Sequence, residues 1–457
     1  MNVDQKLFSF KDMHFWERYY ENLHIEFKQS MDEGRDVEEF KEVIEGIAKL
    51  SSVELREELA DLIYKAMESA PQRVDYPYDE PSDLTGIKAK RPENRIKFDK
   101  SKISDREILK DKIHGAWLGR VCGCLLGKPI ECIHTPQIET ILKATNNYPL
   151  SRYIEKNDDL IKEFNLEDWR CWIDTVKGFA PMDDDTNYTA LAALKIIEKH
   201  GVDFTPADVA KEWIENQSMF SYCTAERIAY KNIIAGMKPP TTATYKNVYR
   251  EWIGAQIRAD YYGYISPANP EFAAEMAWRD ASISHTKNGI YGEMFVAAML
   301  AAASVCDDIN TVIIAGINEI PQKSRLYEKI NEVINWYESG VTAKQCFANI
   351  HDQFDETISH DWCHTISNAM IVAASLLYGE KDYSKSICMS VEVGFDTDCN
   401  GATVGSVLGM MLGTKGIPTL WTDPVCDSFV TTIFGHDMIK ISDIAEHTLK
   451  HIEKYRI

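Results

Sequence analysis

Two short acidic runs are the residues of this 457-residue chain best equipped for chemistry. The first is Pro181-Met182-Asp183-Asp184-Asp185-Thr186-Asn187, three consecutive carboxylates ahead of an apolar-periodic segment. A helix N-terminus favours anions through capping and the macrodipole, which accounts for one or two of the three. Three adjacent carboxylates repel one another and raise each other's pKa unless a counter-charge is present. The second run is Gly394-Phe395-Asp396-Thr397-Asp398-Cys399-Asn400-Gly401, with acids two apart in a glycine-flanked turn. Oxygen sets of this kind suit a hard divalent cation. Neither run has the EF-hand layout of a Gly at the sixth loop position and a Glu at the twelfth, so calcium sensing is not expected. Zinc would call for more His and Cys than the single thiol of Cys399 supplies. Mg2+, with Mn2+ as the other candidate, fits better, and two such runs predict a shared two-metal site.

The segments that must position these acids read as helices. Gly115, Gly119, Gly123 and Gly127 lie four apart, and so do Gly401, Gly405, Gly409 and Gly413. Each glycine inside a helix costs up to ~1 kcal/mol relative to Ala, so two such stripes require a compensating gain. A face without side chains lets a second helix, or a ligand, approach closely. Pairing the stripes with one another would also bring the acidic turns at their ends together. Apolar residues recur at helical spacing from about Asp105 onward, in segments that include 105–127, 186–200, 207–237, 270–281, 290–305, 401–413 and 438–454. Strand-like alternation is scarce, which predicts an all-α, multi-helix domain over 105–457. Residues 1–70 read as a helical N-terminal extension, with Ser51 and Glu54 spaced as a capping box. Residues 71–104 read as a linker or irregular arm, because 71–95 carry four prolines among many polar residues.

Composition narrows the partners. The chain has 50 Lys and Arg against 71 Asp and Glu, a net charge of −21, so nucleic acid and anionic membrane are not expected ligands. Its most apolar run, Met294 to Cys306, falls short of the roughly 20 residues that span a bilayer and reads as a buried helix. The start, MNVDQKLFSFKDMHFWERYY, lacks the pattern of a secretory signal. Eleven scattered cysteines then imply free thiols in a reducing, cytoplasmic setting. Cys122 and Cys124, one residue apart, are expected to pack in the core.

Five motifs in order, GAWLGRVCGCLLGKPIE (115–131), DDDTNYT (183–189), GAQIR (254–258), SHTKNGIYGEMFVAAMLAA (284–302) and GFDTDCNGATVGSVLG (394–409), resemble those of the ADP-ribosylglycohydrolases, including the dinitrogenase reductase-activating glycohydrolase type. The resemblance covers roughly 111–450 and implies a compact all-α domain with two Mg2+ ions in a central cleft. It places Asp183, Asp184, Asp185, Asp396, Asp398 and Cys399 at the metals, with Cys399 where many members have a Thr. It gives Glu131 a place beside the scissile ribose, with Asp184 and Asp398 completing the catalytic set. Gly127, Gly254, Arg258 and His285 are implied at the substrate. Cys124 replaces an Asp that often follows Gly123 in the family, and the first hundred residues have no counterpart in the minimal enzyme.

The function so implied is magnesium-dependent hydrolysis of a ribosyl glycosidic bond. The group released would be ADP-ribosyl or a simpler ribosyl unit, from an acceptor such as arginine on a small molecule or a protein. The alternative from another class is a non-catalytic ADP-ribose-binding or immunity-type module that occludes an ADP-ribosyltransferase.

Overall fold

The computed structural model describes residues 13–103, 105–166 and 169–455; most of the chain start read above for a signal, residues 1–12, lies outside them. The described residues are mainly helical, with one two-stranded antiparallel sheet, β1 (Ser428–Val430) and β2 (Met438–Lys440). The helices that bear on the site are α1 (Leu23–Asp32), α2 (Lys41–Ala48), α3 (Val53–Glu68), α4 (Leu84–Lys90), α5 (Arg106–Gly127), α6 (Asp184–Leu191), α7 (Thr224–Ile234), α8 (Lys287–Ala303), α9 (Thr365–Tyr378), α10 (Tyr383–Glu392), α11 (Thr397–Leu412) and α12 (Ile441–Tyr455).

The two glycine-striped helices form the centre. Asp105 caps α5, its Oδ1 accepting from the backbone N–H groups of Glu107 at 3.0 Å and Ile108 at 3.2 Å. From Gly115 to Gly127 every residue of α5 is buried. It packs antiparallel on α11: Gly115 faces Gly409, Gly119 faces Gly405, Gly123 faces Gly401, and Gly127 lies against Thr397 and Asp398. A Cβ added at Gly119 would collide with the carbonyl oxygen of Gly405, and one at Gly405 with that of Gly119. The compensation for the glycines is therefore backbone-to-backbone contact, in which dispersion and weak Cα–H···O contacts sum along four turns. Tyr383 of α10 donates to the Gly119 carbonyl at 2.9 Å, and α8, buried along almost its whole length, packs beside α11.

The N-terminal segments lie on this body. Arg250 bonds Glu33 at 2.7 Å and Glu26 of α1 at 2.9 Å, and Gln29 donates to Glu251 at 2.7 Å. The arm lies on the main body too, through Glu80 on Arg325 at 2.8 Å and Trp278 Nε1 on the Ser82 carbonyl at 2.9 Å. Four expectations need correcting. The arm contains a helix, α4, because Asp83 accepts from the Gly86 N–H at 2.8 Å and no proline falls within 84–90. The cap of α3 is Ser52, accepting from Leu55 N–H at 3.1 Å, one residue later than Ser51. Segment 207–237 is two helices, Pro206–Asn216 and α7, and residues 438–440 form β2 before α12 begins.

Gly119→Ala should destabilise by about 3 kcal/mol, because the colliding atoms are rigid backbone. Gly46→Ala in α2, where the new methyl meets nothing within 4 Å, should stabilise by about 0.5–1 kcal/mol. Urea unfolding of both variants checks the pair. A second expectation concerns His360, 2% exposed, which accepts from Trp252 Nε1 at 3.2 Å and faces Asp32 at 3.1 Å, next to α1. Burial pushes its pKa down to about 4, against the raising effect of Asp32. The native state thus resists a proton that the unfolded chain takes up near pH 6.5. Stability is complete above that pH and falls by up to about 3 kcal/mol between pH 6.5 and 4. His360→Gln should flatten that part of the stability–pH curve, measured by urea unfolding at pH 7 and 4.5.

Candidate active site

Two acidic turns meet at one end of the α5–α11 pair. Asp396 immediately precedes α11 without a capping bond from its side chain; its N–H is held by Asn368 Oδ1 of α9 at 3.1 Å, and the same oxygen accepts from Asn400 Nδ2 at 2.8 Å. Thr397 Oγ1 donates to the Gly127 carbonyl at 2.9 Å, tying the first turn of α11 to the last of α5. Gly394 and Phe395 lead into this turn with φ of +79° and +57°, so the approach depends on left-handed backbone. Asp183 caps α6, accepting from the Asp185 N–H at 3.0 Å. Arg120, fully buried on α5, fixes α6: it donates to the Asp185 carbonyl at 2.9–3.0 Å and to its carboxylate at 2.8 Å, and pairs with Asp260 at 3.0 Å. Lys128, just past α5, pairs with Asp183.

The carboxylates form two groups that share a member. Ligand atoms of Cys124, Asp183, Asp185 and Asp398 all lie within 4.8 Å of one another, and so do those of Asp396, Asp398 and Cys399. Asp398 belongs to both. Asp185 Oδ2, Asp396 Oδ1 and Asp398 Oδ1 are buried without a hydrogen-bond partner. Burial and then the neighbouring negative charges push Asp184, Asp396 and Asp398 above the usual carboxylate range, and burial does the same to Asp185 against the lowering effect of Arg120. Burial acts the same way on Asp183, but the Lys128 ammonium outweighs it and holds that group low. Orphaned buried oxygens together with uncompensated like charge are what a divalent cation relieves, so these residues fit one or two such ions. The thiols fit less well. Burial pushes both Cys124 and Cys399 upward, which keeps them protonated, and Cys124 hydrogen-bonds Asp183.

Above these groups opens a cavity of about 400 Å³, lined by Glu131, Asp184, Glu226, Gly254, Asp396 and Cys399 among others. Glu131 follows the short 3₁₀ turn Lys128–Ile130 at the end of α5. Burial and then the charge of Asp398 hold its carboxyl well above the usual range. Asp183, Asp185 and Asp398 lie beneath the floor.

Of the other residues singled out in the sequence, Gly254 lines the cavity, whereas Arg258 and His285 do not. Arg258 is 2% exposed and consumed by carboxylates, pairing with Glu226, Asp280 and, at 3.5 Å, Glu293, so it does not reach the cavity. His285 sits behind Glu226, with Nδ1 at 2.9 Å from Ser284 Oγ and 3.8 Å from Glu226 Oε1; it borders a separate cavity of about 1010 Å³. Gly127 serves the helix approach, and Gly254 leaves room for the Glu226 carboxylate. Cys122 is a core thiol that donates to the Trp421 carbonyl at 3.2 Å, whereas Cys124, expected with it, stands among the acids. Sequence reasoning also missed Arg120, Lys128, Glu226 and Asn368. A lone Arg inside an otherwise apolar glycine stripe was the available signal for the first; the others carried none.

Residues 105–454 match the family model described as ADP-ribosylglycohydrolase. The chain belongs to the ADP-ribosylglycohydrolase family. A solved structure described as "ADP-ribosylglycohydrolase-related protein complex" shares its fold, with a TM-score of 0.52 at 16% identity, covering 76% of this chain and 99% of that one. No curated protein matches the chain in sequence. The all-α architecture is that of the family, and family membership carries a glycohydrolase-type function. No helix among the described residues is long and apolar enough to cross a membrane.

Mg2+ or Mn2+ should raise the melting temperature of the protein saturably, since an ion that binds only the folded state stabilises it by linkage. Asp398→Asn, which removes the acid common to both groups, should abolish that shift while leaving the metal-free protein at least as stable, because one buried charge is gone. Differential scanning fluorimetry across a metal titration checks both.

Proposed function

We propose that the chain is a divalent-cation-dependent hydrolase, using Mg2+ or Mn2+, that cleaves the bond between ribosyl C1 and an acceptor nitrogen or oxygen. The observation that carries this reading is the convergence of two remote acidic turns beneath a single cavity whose wall holds Glu131. Asp183, Asp185, Asp396 and Asp398 would hold the cations, with Asp184 at the cavity face. Bound there, the cations would supply charge to orient the ribose hydroxyls and to make water more acidic.

The remaining work falls to the protein's own groups. The C1–acceptor bond breaks with its electron pair leaving on the acceptor, through an oxocarbenium-like state. Water adds its oxygen to C1, and a proton ends on the departing atom. Glu131 belongs to neither cation group and faces the cavity, so it is placed to handle that proton. Lys128 and Arg120 keep Asp183 and Asp185 oriented rather than acting on substrate. A reducing, cytoplasmic setting belongs to this proposal, on the ground that eleven scattered cysteines suit such a compartment.

Incubation of the metal-loaded protein with ribosylated arginine and small N-ribosyl compounds should release free sugar. Glu131→Gln should lower kcat by about 10²–10⁴ while leaving substrate binding in place. Binding of ADP-ribose without turnover of any compound would instead favour the non-catalytic module.

A further inference from the structure

The N-terminal segment, which the sequence reading left without a role, supplies one side of the active-site cavity. Phe15, Trp16, Asn22, His24 and Ile25 line it, opposite Glu131, Asp184 and Asp396. The segment is anchored. Tyr249 Oη donates to the Trp16 carbonyl at 3.3 Å and Glu17 pairs with Arg227 at 2.6 Å, while within the segment Asn22 Nδ2 donates to the Phe15 and Arg18 carbonyls at 2.8 and 3.1 Å. Phe15 is 52% exposed, and its ring lies 5.1 Å from that of Trp16. Tyr249, Trp252 and Trp362 extend the aromatic lining from the main body, with the Tyr249 and Trp252 rings 4.7 Å apart.

The carboxyl and imidazole groups on the lining are Glu131, Asp184, Glu226, Glu356, Asp396, His24 and His134, with Glu226 paired to Arg258 behind it; no Lys or Arg faces the cavity among the described residues. The nearby cations are already committed: Lys128 to Asp183, Arg258 to Glu226 and Asp280, and Arg227 to Glu17. A pyrophosphate would therefore meet no Lys or Arg on the cavity lining, whereas a flat neutral or cationic group gains from the rings. At about 400 Å³ the cavity is near the lower end of the usual 300–1,000 Å³ for small-molecule sites.

Resting on the hydrolase reading above, we infer that the substrate is a small, unphosphorylated N-ribosyl compound whose leaving group is planar and neutral or cationic, such as a guanidine or a nitrogen heterocycle. The 15–25 segment is the wall that selects it. For a ribosylated pyridinium, the C1–N electron pair leaves on the ring nitrogen, the water oxygen bonds to C1, and the surplus proton goes to solvent.

The test compares sugar release by the full-length, Mn2+-loaded protein from ribosyl-pyridinium and ribosyl-guanidine compounds and from their ADP-ribosyl counterparts. The expected result is a kcat/KM at least tenfold higher for the unphosphorylated pair. Preference for the ADP-ribosyl pair would overturn this inference and leave the hydrolase reading standing; release from none of the four would overturn this inference, and if O-linked ribosyl and ADP-ribosyl serine were also left intact the hydrolase reading would fall with it. Phe15→Ala, at a half-exposed position that folding does not depend on, should raise KM for the ribosyl pyridinium about fivefold with kcat within twofold. An unchanged KM would overturn the role of the wall.

Discussion

The carbonyl oxygens of the striped glycines on α5 and α11 lie against glycines of the opposite helix, and the placement of Glu131, Asp396 and Asp398 follows from that contact. The glycines forgo helix propensity, and the return is an approach that no side chain would permit. Because the stripes are antiparallel, the last glycine of α5 meets the first turn of α11. Glu131 thus leaves one helix where Asp396 and Asp398 enter the other. Arg120 extends the same logic sideways, since its position on α5 is set by the glycine packing and its guanidinium sets the first turn of α6. Three segments far apart in sequence are brought to one point by one helix pair.

That convergence is electrostatically costly, which is why it is informative. Two of the acids beneath the cavity have a resident cation, Lys128 for Asp183 and Arg120 for Asp185. Asp184, Asp396, Asp398 and Glu131 have none of their own, and burial raises the energy of their charged forms. A protein built only for stability would place apolar groups here. The arrangement makes sense as a receptor for positive charge: divalent ions below, and a developing oxocarbenium above.

Local features of the sequence were the legible ones. The four-residue glycine period and the two acidic runs could be read because each feature lies within a few turns of one helix or its cap. The α5 and α8 helices were legible for the same reason. What escaped depends on partners remote in the chain. Lys128 and Glu226 look like ordinary surface charges until Asp183 and Arg258 are beside them. Cys124 looks like Cys122 until one face of α5 is seen to meet the acids and the other the core. Helix α4 was hidden by prolines that in fact stop short of it at Pro81, with Asp83 supplying the cap. The single long segment 207–237 breaks at Gln217–Cys223, where periodicity continues although the backbone does not. His285 and Arg258, implied at the substrate by resemblance, are instead tied into the Glu226 cluster behind the cavity wall.

The central claim is that the α5–α11 glycine contact assembles the acidic turns into a receptor for paired divalent ions. Anomalous diffraction from crystals of the protein grown with Mn2+ tests it most directly. The account predicts anomalous density within bonding distance of Asp398, flanked by Asp183 and Asp185 on one side and Asp396 on the other. Crystals that show no anomalous peak there at saturating Mn2+, with the aspartates in the same buried positions, would contradict it.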